Sequence, residues 1–264
     1  MTNTRTISIV NQKGGVGKTT TSVNLAAALT LLGHSVLLID LDPQGNATTG
    51  LGLTRGTTDL TLYDVLVDGA DLEAAVISTN VKGLSLVPSD LDLSGAELNI
   101  GAAGDRTTRL KSALSDYGSR HDYVLIDCPP ALGLLTVNAL SATDSVLVPL
   151  QCEFFALEGL SQLLKTVEMA KANINPALVI DGVMLTMYDK RNRLSDQVAA
   201  DVRKHLGRAV LKTIIPRNVR IAEAPSFGLP VMLYDKNCAG ARAYMDLGRE
   251  ILRRHGRKTK EQFQ

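Results

Sequence analysis

The feature that most limits the fold is a strand–loop–helix–strand succession in the first forty or so residues. Residues 6–10 are β-rich, and a glycine-rich loop follows at once. A helical pattern then places Val23, Ala26, Ala27 and Thr30 on one face with Leu25, Leu29 and Leu32 beside it, and Gly33 suits its C-terminal cap. Next, Val36-Leu37-Leu38-Ile39 is apolar without interruption and stops at Asp40. A strand that faces water on one side alternates; a strand covered by helices on both sides does not. The same grammar recurs. Further strands are expected at 84–87, at 123–126 (ending at Asp127 and stopped by Pro129-Pro130), at 145–150, 178–186 and 211–215. Helices are expected at 107–117 and 157–172, from a Ser195 cap to His205, and at 241–255. The order predicts a doubly wound, mostly parallel α/β sheet with helices on both faces. With no internal repeat, low-complexity stretch or linker, one domain over 1–264 is expected, ending in a short basic tail from about residue 254.

Composition narrows the function classes. No apolar stretch approaches the length that spans a bilayer, and the N-terminus lacks the apolar segment of a signal peptide. A cytoplasmic protein is expected. Three scattered cysteines, Cys128, Cys152 and Cys238, suit neither a disulfide framework nor a zinc site. Net charge is +1, but its distribution is uneven. Residues 1–188 hold 11 Lys and Arg against 19 Asp and Glu, a net −8, whereas residues 189–264 hold 17 against 8, a net +9. Such asymmetry hints at an anionic partner.

The loop Lys13-Gly14-Gly15-Val16-Gly17-Lys18-Thr19-Thr20 carries the chemistry. Glycines let backbone N–H groups turn inward around phosphate oxygens, a lysine neutralises their charge, and a hydroxyl can ligate Mg²⁺. The strand before it and the helix after it supply the required context. Position 12 is Gln where the plain motif has its first glycine. Asp40, Asp42 and Asp127 end apolar runs, on the edge where open α/β sheets bind ligands.

Lys-Gly-Gly-x-Gly-Lys-Thr, with its extra lysine at Lys13, resembles the deviant Walker A motif of the ParA/MinD superfamily of P-loop NTPases. Leu38-Ile39-Asp40-Leu41-Asp42-Pro43-Gln44-Gly45-Asn46-Ala47-Thr48, Asp127-Cys128-Pro129-Pro130, the segment 151–160 and Ile215-Pro216-Arg217-Asn218-Val219-Arg220-Ile221-Ala222-Glu223-Ala224-Pro225-Ser226 are similar to the ParA (Soj) branch over nearly the whole chain. The resemblance implies an ATPase that uses ATP and Mg²⁺. Lys18 would bind the β- and γ-phosphates, Thr19 the metal and Thr20 the α-phosphate. Lys13 would reach a nucleotide held by a second subunit, implying an ATP-sandwiched homodimer. Asp42 would position the attacking water, with Asp40 and Asp127 supporting the metal. Pro216, Arg217 and Asn218 would lie near the adenine, and Glu153 and Phe154 at the dimer face or nucleotide rim.

The same resemblance gives the basic part a use. It points to Arg191 and Arg220 as contacts to the phosphates of double-stranded DNA, bound without sequence preference, in a cytoplasmic, nucleoid-associated protein. A ParB-type centromere-binding partner would stimulate a hydrolysis that is slow alone, because the matched motifs hold no obvious arginine finger. The alternative is a MinD-like, membrane-associated positioning ATPase. It would need an amphipathic C-terminal helix with exposed apolar residues, whereas Ile251-Leu252 is followed by Arg253-Arg254-His255-Gly256-Arg257-Lys258. No membrane partner is therefore expected. A cluster-sharing reductase would need two suitable cysteines, and a small-molecule kinase or synthetase would not need Lys13 together with a basic C-terminal part.

Overall fold

The computed structural model describes residues 4–101, 104–153 and 156–260. Its strands are β1 (Arg5–Ile9), β2 (Val36–Asp40), β3 (Ile77–Ser78), β4 (Leu84–Val87), β5 (Tyr123–Asp127), β6 (Ser145–Gln151), β7 (Val179–Tyr188) and β8 (Val210–Pro216). They form one sheet in the order β3-β4-β2-β5-β1-β6-β7-β8. Every pairing is parallel except the short antiparallel β3–β4 edge. The α-helices are α1 (Lys18–Leu31), α2 (Asn46–Gly50), α3 (Ala96–Asn99), α4 (Arg109–Tyr117), α5 (Leu134–Ala142), α6 (Ala156–Asn173), α7 (Arg193–Leu206), α8 (Val219–Glu223), α9 (Val231–Tyr234) and α10 (Ala239–Arg254).

The uninterrupted apolar runs have the expected cause. Leu37 and Ile39 of β2 join Val124, Ile126, Val146 and Val148 in a core shared with α4, α5, α6 and α7. Leu38, between them in sequence, faces the other way into a core of Ile7, Ile9, Leu125 and Leu147 covered by α1 and α10. Both faces of the central strands are dry, so both sets of alternating residues must be apolar.

The structure corrects one expectation, the cap of α7, and adds two features that the sequence does not mark, helix α5 and the packing of the tail. Helix α5 was not foreseen: Leu135, Thr136, Asn138, Ala139, Leu140 and Ser141 are all buried, so no amphipathic period marks it. Ser195 is not the cap of α7. Asn192 fills that place, accepting the Leu194 N–H at 3.0 Å, while Ser195 is buried inside the helix. The basic tail does not lie free over its described part. Helix α10 runs to Arg254, and residues 255–260 fold back under the start of the parallel strands. There the Lys260 N–H donates to the Leu32 carbonyl at 3.0 Å, Lys260 Nζ to Asp122 Oδ2 at 2.7 Å and Arg257 to the Asp122 carbonyl at 2.8 Å. The Arg257 guanidinium also lies 4.6 Å over the Tyr123 ring.

Gly33 makes this return possible. Its φ of +89° is left-handed, and a Cβ there would stand 2.5 Å from the Lys260 carbonyl oxygen. Gly33→Ala is expected to cost about 1–3 kcal/mol of stability through backbone strain and displacement of the returning segment. Urea unfolding checks this; a loss below about 0.5 kcal/mol, the scatter of an inert surface change, would mean that the segment does not pack there.

Candidate nucleotide site

The parallel strands end along one edge of the sheet, where register sets Ile9 and Asp40 on either side of Asp127. From that edge residues 10–17 curl into the start of α1. Gly15 and Gly17 hold φ of +74° and +91°, which glycine adopts without a Cβ clash. Gly17 is the N-cap of α1 and offers no side chain to its first-turn amides. Those N–H groups and the helix dipole are left for an external anion. The loop is braced from two strands, β6 and β7: the Lys13 N–H donates to Asn11 Oδ1 at 3.0 Å, Asn11 Nδ2 to the Pro149 carbonyl at 2.7 Å, and Thr186 Oγ1 to the Val16 carbonyl at 2.9 Å. Gly14 has open space around it.

Lys18 is buried, and its Nζ donates back to the Lys13 carbonyl at 3.2 Å. Burial pulls its ammonium below the ordinary lysine range, while the charges of Asp127 and Asp42 oppose that shift. Asp127 is fully buried at the end of β5. Burial, then repulsion from Asp40, pushes its carboxyl above the usual range, against the opposing influence of the Thr19 and Ser22 hydroxyls. Ser22 Oγ donates to Asp127 Oδ1 at 2.8 Å, whereas Oδ2 is buried with no hydrogen-bond partner. An orphaned carboxylate oxygen beside a threonine hydroxyl is a chemical fit for a hydrated divalent cation.

Asp40 is arranged differently. Its Oδ2 accepts the Thr48 N–H at 2.8 Å and the Thr48 hydroxyl at 2.7 Å, and Oδ1 accepts the Asp42 N–H at 3.3 Å. Its carboxylate is thus occupied with holding the turn that carries Asp42, and any support it gives a metal is indirect. Asp42 is nearly buried, and its Oδ1 accepts the Gln44 N–H at 3.0 Å. Among the described residues no group of three His, Cys, Asp or Glu forms a cation cage.

Beside the loop lies a cavity of about 330 Å³ lined by Gly17, Thr20, Met187, Pro216, Asn218 and Tyr244, among others. Pro216, Arg217 and Asn218 therefore do converge on the loop. Asn218 spends its Oδ1 on the Arg220 N–H at 3.0 Å, capping α8. Sequence reasoning missed Ser22, Thr48, Thr186, Met187 and Tyr244. Met187 has a left-handed φ of +50°, a conformation that non-glycine residues seldom hold.

Three of the cations named from the resemblance, Lys13, Arg191 and Arg220, have carboxylate partners in the same chain. Lys13 Nζ lies 2.7 Å from Glu153 Oε2, both side chains about half exposed. Arg191 makes a two-pronged bond to Asp189 at 3.1 and 3.0 Å. Arg220 pairs with Glu223 at 2.8 Å and Asp235 at 3.6 Å. Phe154 lies outside the described residues. Cys128 is fully buried, and burial, reinforced by Asp127, pushes its thiol far above the ordinary range.

Fold and site together define an ATPase of the P-loop class, with the second loop lysine of the deviant Walker A type. A family model described as an AAA domain matches residues 4–180. Chromosome partitioning protein ParA of Caulobacter vibrioides is 56% identical over 252 residues, covering 95% of this chain and 94% of that protein. The sporulation initiation inhibitor protein Soj of Bacillus subtilis is 52% identical over 245 residues, covering 93% of this chain and 97% of that protein. Among solved structures, cobyrinic acid a,c-diamide synthase from Mycobacterium smegmatis with bound ADP and magnesium superposes with a TM-score of 0.86 at 38% identity, covering 99% of this chain and 100% of that one. The chain belongs to the ParA (Soj) family of chromosome-partitioning ATPases.

Proposed function

We propose that MgATP, bound at the loop of residues 13–20, closes two copies of this chain face to face, and that the closed dimer holds double-stranded DNA without sequence preference until a ParB-type partner triggers hydrolysis. One observation carries the nucleotide part: open first-turn amides, Lys18 and the orphaned Asp127 oxygen converge beside a cavity sized for a base. Lys18 takes the β- and γ-phosphates. Thr19, through its hydroxyl, and Asp127, through its carboxylate, would hold the magnesium ion. Asp42 orients the attacking water, and the cavity beside Asn218 receives adenine. Mg²⁺ supplies charge neutralisation at the phosphates.

The DNA part rests on the charge asymmetry and on the family. Its test combines ATP, a plain duplex and the purified chain over a range of salt. Backbone binding of this kind weakens steeply as salt rises, so ATP-independent or salt-insensitive binding would sink the reading. Arg220→Ala is expected to lower DNA affinity about three- to tenfold, as the loss of one charge-assisted phosphate contact would, with ATP-driven dimerisation intact. Loss of both would assign Arg220 to the nucleotide instead.

The membrane-associated alternative gains no support from α10. Tyr244, Leu247, Ile251 and Leu252 are buried in the core shared with α1, so the helix keeps no apolar face for lipid. Among the described residues no helix is long and apolar enough to cross a membrane.

A further inference from the structure

On the outer side of β8, the last strand of the sheet, a groove of about 560 Å³ runs between that strand and α10. Its charged lining is Lys190 and Lys212 on one side and Arg242, Asp246, Glu250 and Arg253 on the other. The α10 residues recur every three or four positions and so share one helix face. From Arg242 to Arg253 that face extends about 16 Å along the helix at 1.5 Å per residue.

The two acids do not balance the four cations, because each is already engaged. Glu250 is buried, and its oxygens accept the Lys212 N–H at 2.8 Å, the Thr213 N–H at 2.8 Å and the Thr213 hydroxyl at 2.7 Å. Asp246 accepts from Arg249 at 2.9 Å. By contrast, Lys190, Lys212, Arg242 and Arg253 are all exposed, and among the described residues none makes an ion pair or a side-chain hydrogen bond. Arg191 and Arg220 each share their charge with a carboxylate of the same chain. Among the described residues the groove cations share theirs with none.

From this geometry we infer that the β8–α10 groove is the principal track for the DNA backbone. The inference rests on the DNA-binding reading above and names its site. A length of about 16 Å spans a few successive phosphates of one strand. Four unpaired cations over that length match a uniformly charged polyanion better than a small anion, which would need them converged on one point. Pro216 lines both this groove and the cavity beside the nucleotide loop, so the two sites share a wall.

The test compares the wild-type chain with Lys212→Gln/Arg242→Gln/Arg253→Gln, both loaded with a non-hydrolysable ATP analogue and Mg²⁺. Binding to a random-sequence duplex is followed by fluorescence anisotropy across a salt series. The variant is expected to lose at least tenfold in affinity, and its log–log salt slope should become shallower by about two to three, near 0.9 per phosphate contact removed. ATP-driven dimerisation and basal hydrolysis should be unchanged. A variant with wild-type affinity and slope would overturn the groove while leaving the DNA reading standing. A wild-type chain that fails to bind duplex, or that binds anionic phosphatidylglycerol vesicles in its place, would overturn both. Should the triple variant fold poorly, Lys190→Gln/Lys212→Gln reads the same slope from two exposed side chains away from the helix.

Discussion

Lys18→Ala is expected to lose nucleotide affinity by about two orders of magnitude or more. The estimate follows from the environment of the ammonium. Lys18 is buried, held off bulk water, and bonded only weakly to the Lys13 carbonyl at 3.2 Å. Charge-assisted hydrogen bonds contribute about 1.5–3 kcal/mol each. Two of them to a polyphosphate, lost together, correspond to roughly a hundredfold or greater loss in Kd at 1.4 kcal/mol per decade. The loss should be larger still because the neighbouring carboxylates Asp42, Asp40 and Asp127 remain and repel the incoming phosphates. Titration calorimetry with ATP and Mg²⁺ measures it directly, with circular dichroism to establish that the variant is folded. Binding within threefold of wild type would mean that the amides of the loop, and not Lys18, carry the phosphate site.

Most of this arrangement could be read before any coordinates. The central strands announced themselves because burial on both faces forces continuous apolar runs, and the aspartates at their ends marked the binding edge. What stayed hidden depends on partners distant in sequence. Asp40 and Asp127 look alike in the chain, yet Thr48 and the Asp42 N–H occupy the two oxygens of the first, whereas the second keeps one oxygen without a partner. Thr186, Met187 and Tyr244 reach the nucleotide cavity from β7 and α10, and nothing local distinguishes them from core residues. Helix α5 left no period because it is buried all round. The basic tail carries no sign of where it packs, because Asp122, Leu32 and Tyr123, which supply its partners, are far from it in sequence. Arg191 and Arg220 were named by motif alone; that each is paired within the chain is a property of packing.

Lys13 shows how such a pairing bears on the cycle. Its ion pair with Glu153 is half exposed, and exposed pairs contribute about 0–1 kcal/mol. In the proposed cycle this contact is weak enough to be exchanged for the triphosphate of a second subunit. The pair keeps the lysine positioned near the loop without holding it there against a stronger anion.

Asp42→Ala separates binding from chemistry. Asp42 follows β2 on the turn that Asp40 and Thr48 hold, and its Oδ1 is fixed by the Gln44 N–H at 3.0 Å. Among the described residues its other oxygen accepts no hydrogen bond, so it remains available to orient a water. Positioned proton-accepting groups contribute about 10²–10⁴-fold to a chemical step. Hydrolysis is therefore expected to fall by that factor, while ATP affinity stays near wild type because no phosphate contact is removed. Removing one of three clustered carboxylates also relieves repulsion on the γ-phosphate, so binding should be unchanged or slightly tighter. The ATP-bound dimer should then accumulate and persist, visible as a stable dimeric species by light scattering after size-exclusion chromatography with ATP. Single-turnover hydrolysis at saturating ATP gives the rate of the chemical step. Normal turnover would remove Asp42 from the reaction and leave Asp127, the carboxylate with the orphaned oxygen, as the group to vary next. Slow turnover with equally weakened ATP binding would instead show that the turn at residues 40–48 had been disturbed, and Thr48→Ala should then reproduce the defect. In the proposed role Thr48→Ala spares ATP binding and slows hydrolysis less than Asp42→Ala does, since the carboxylate that orients the water is still present.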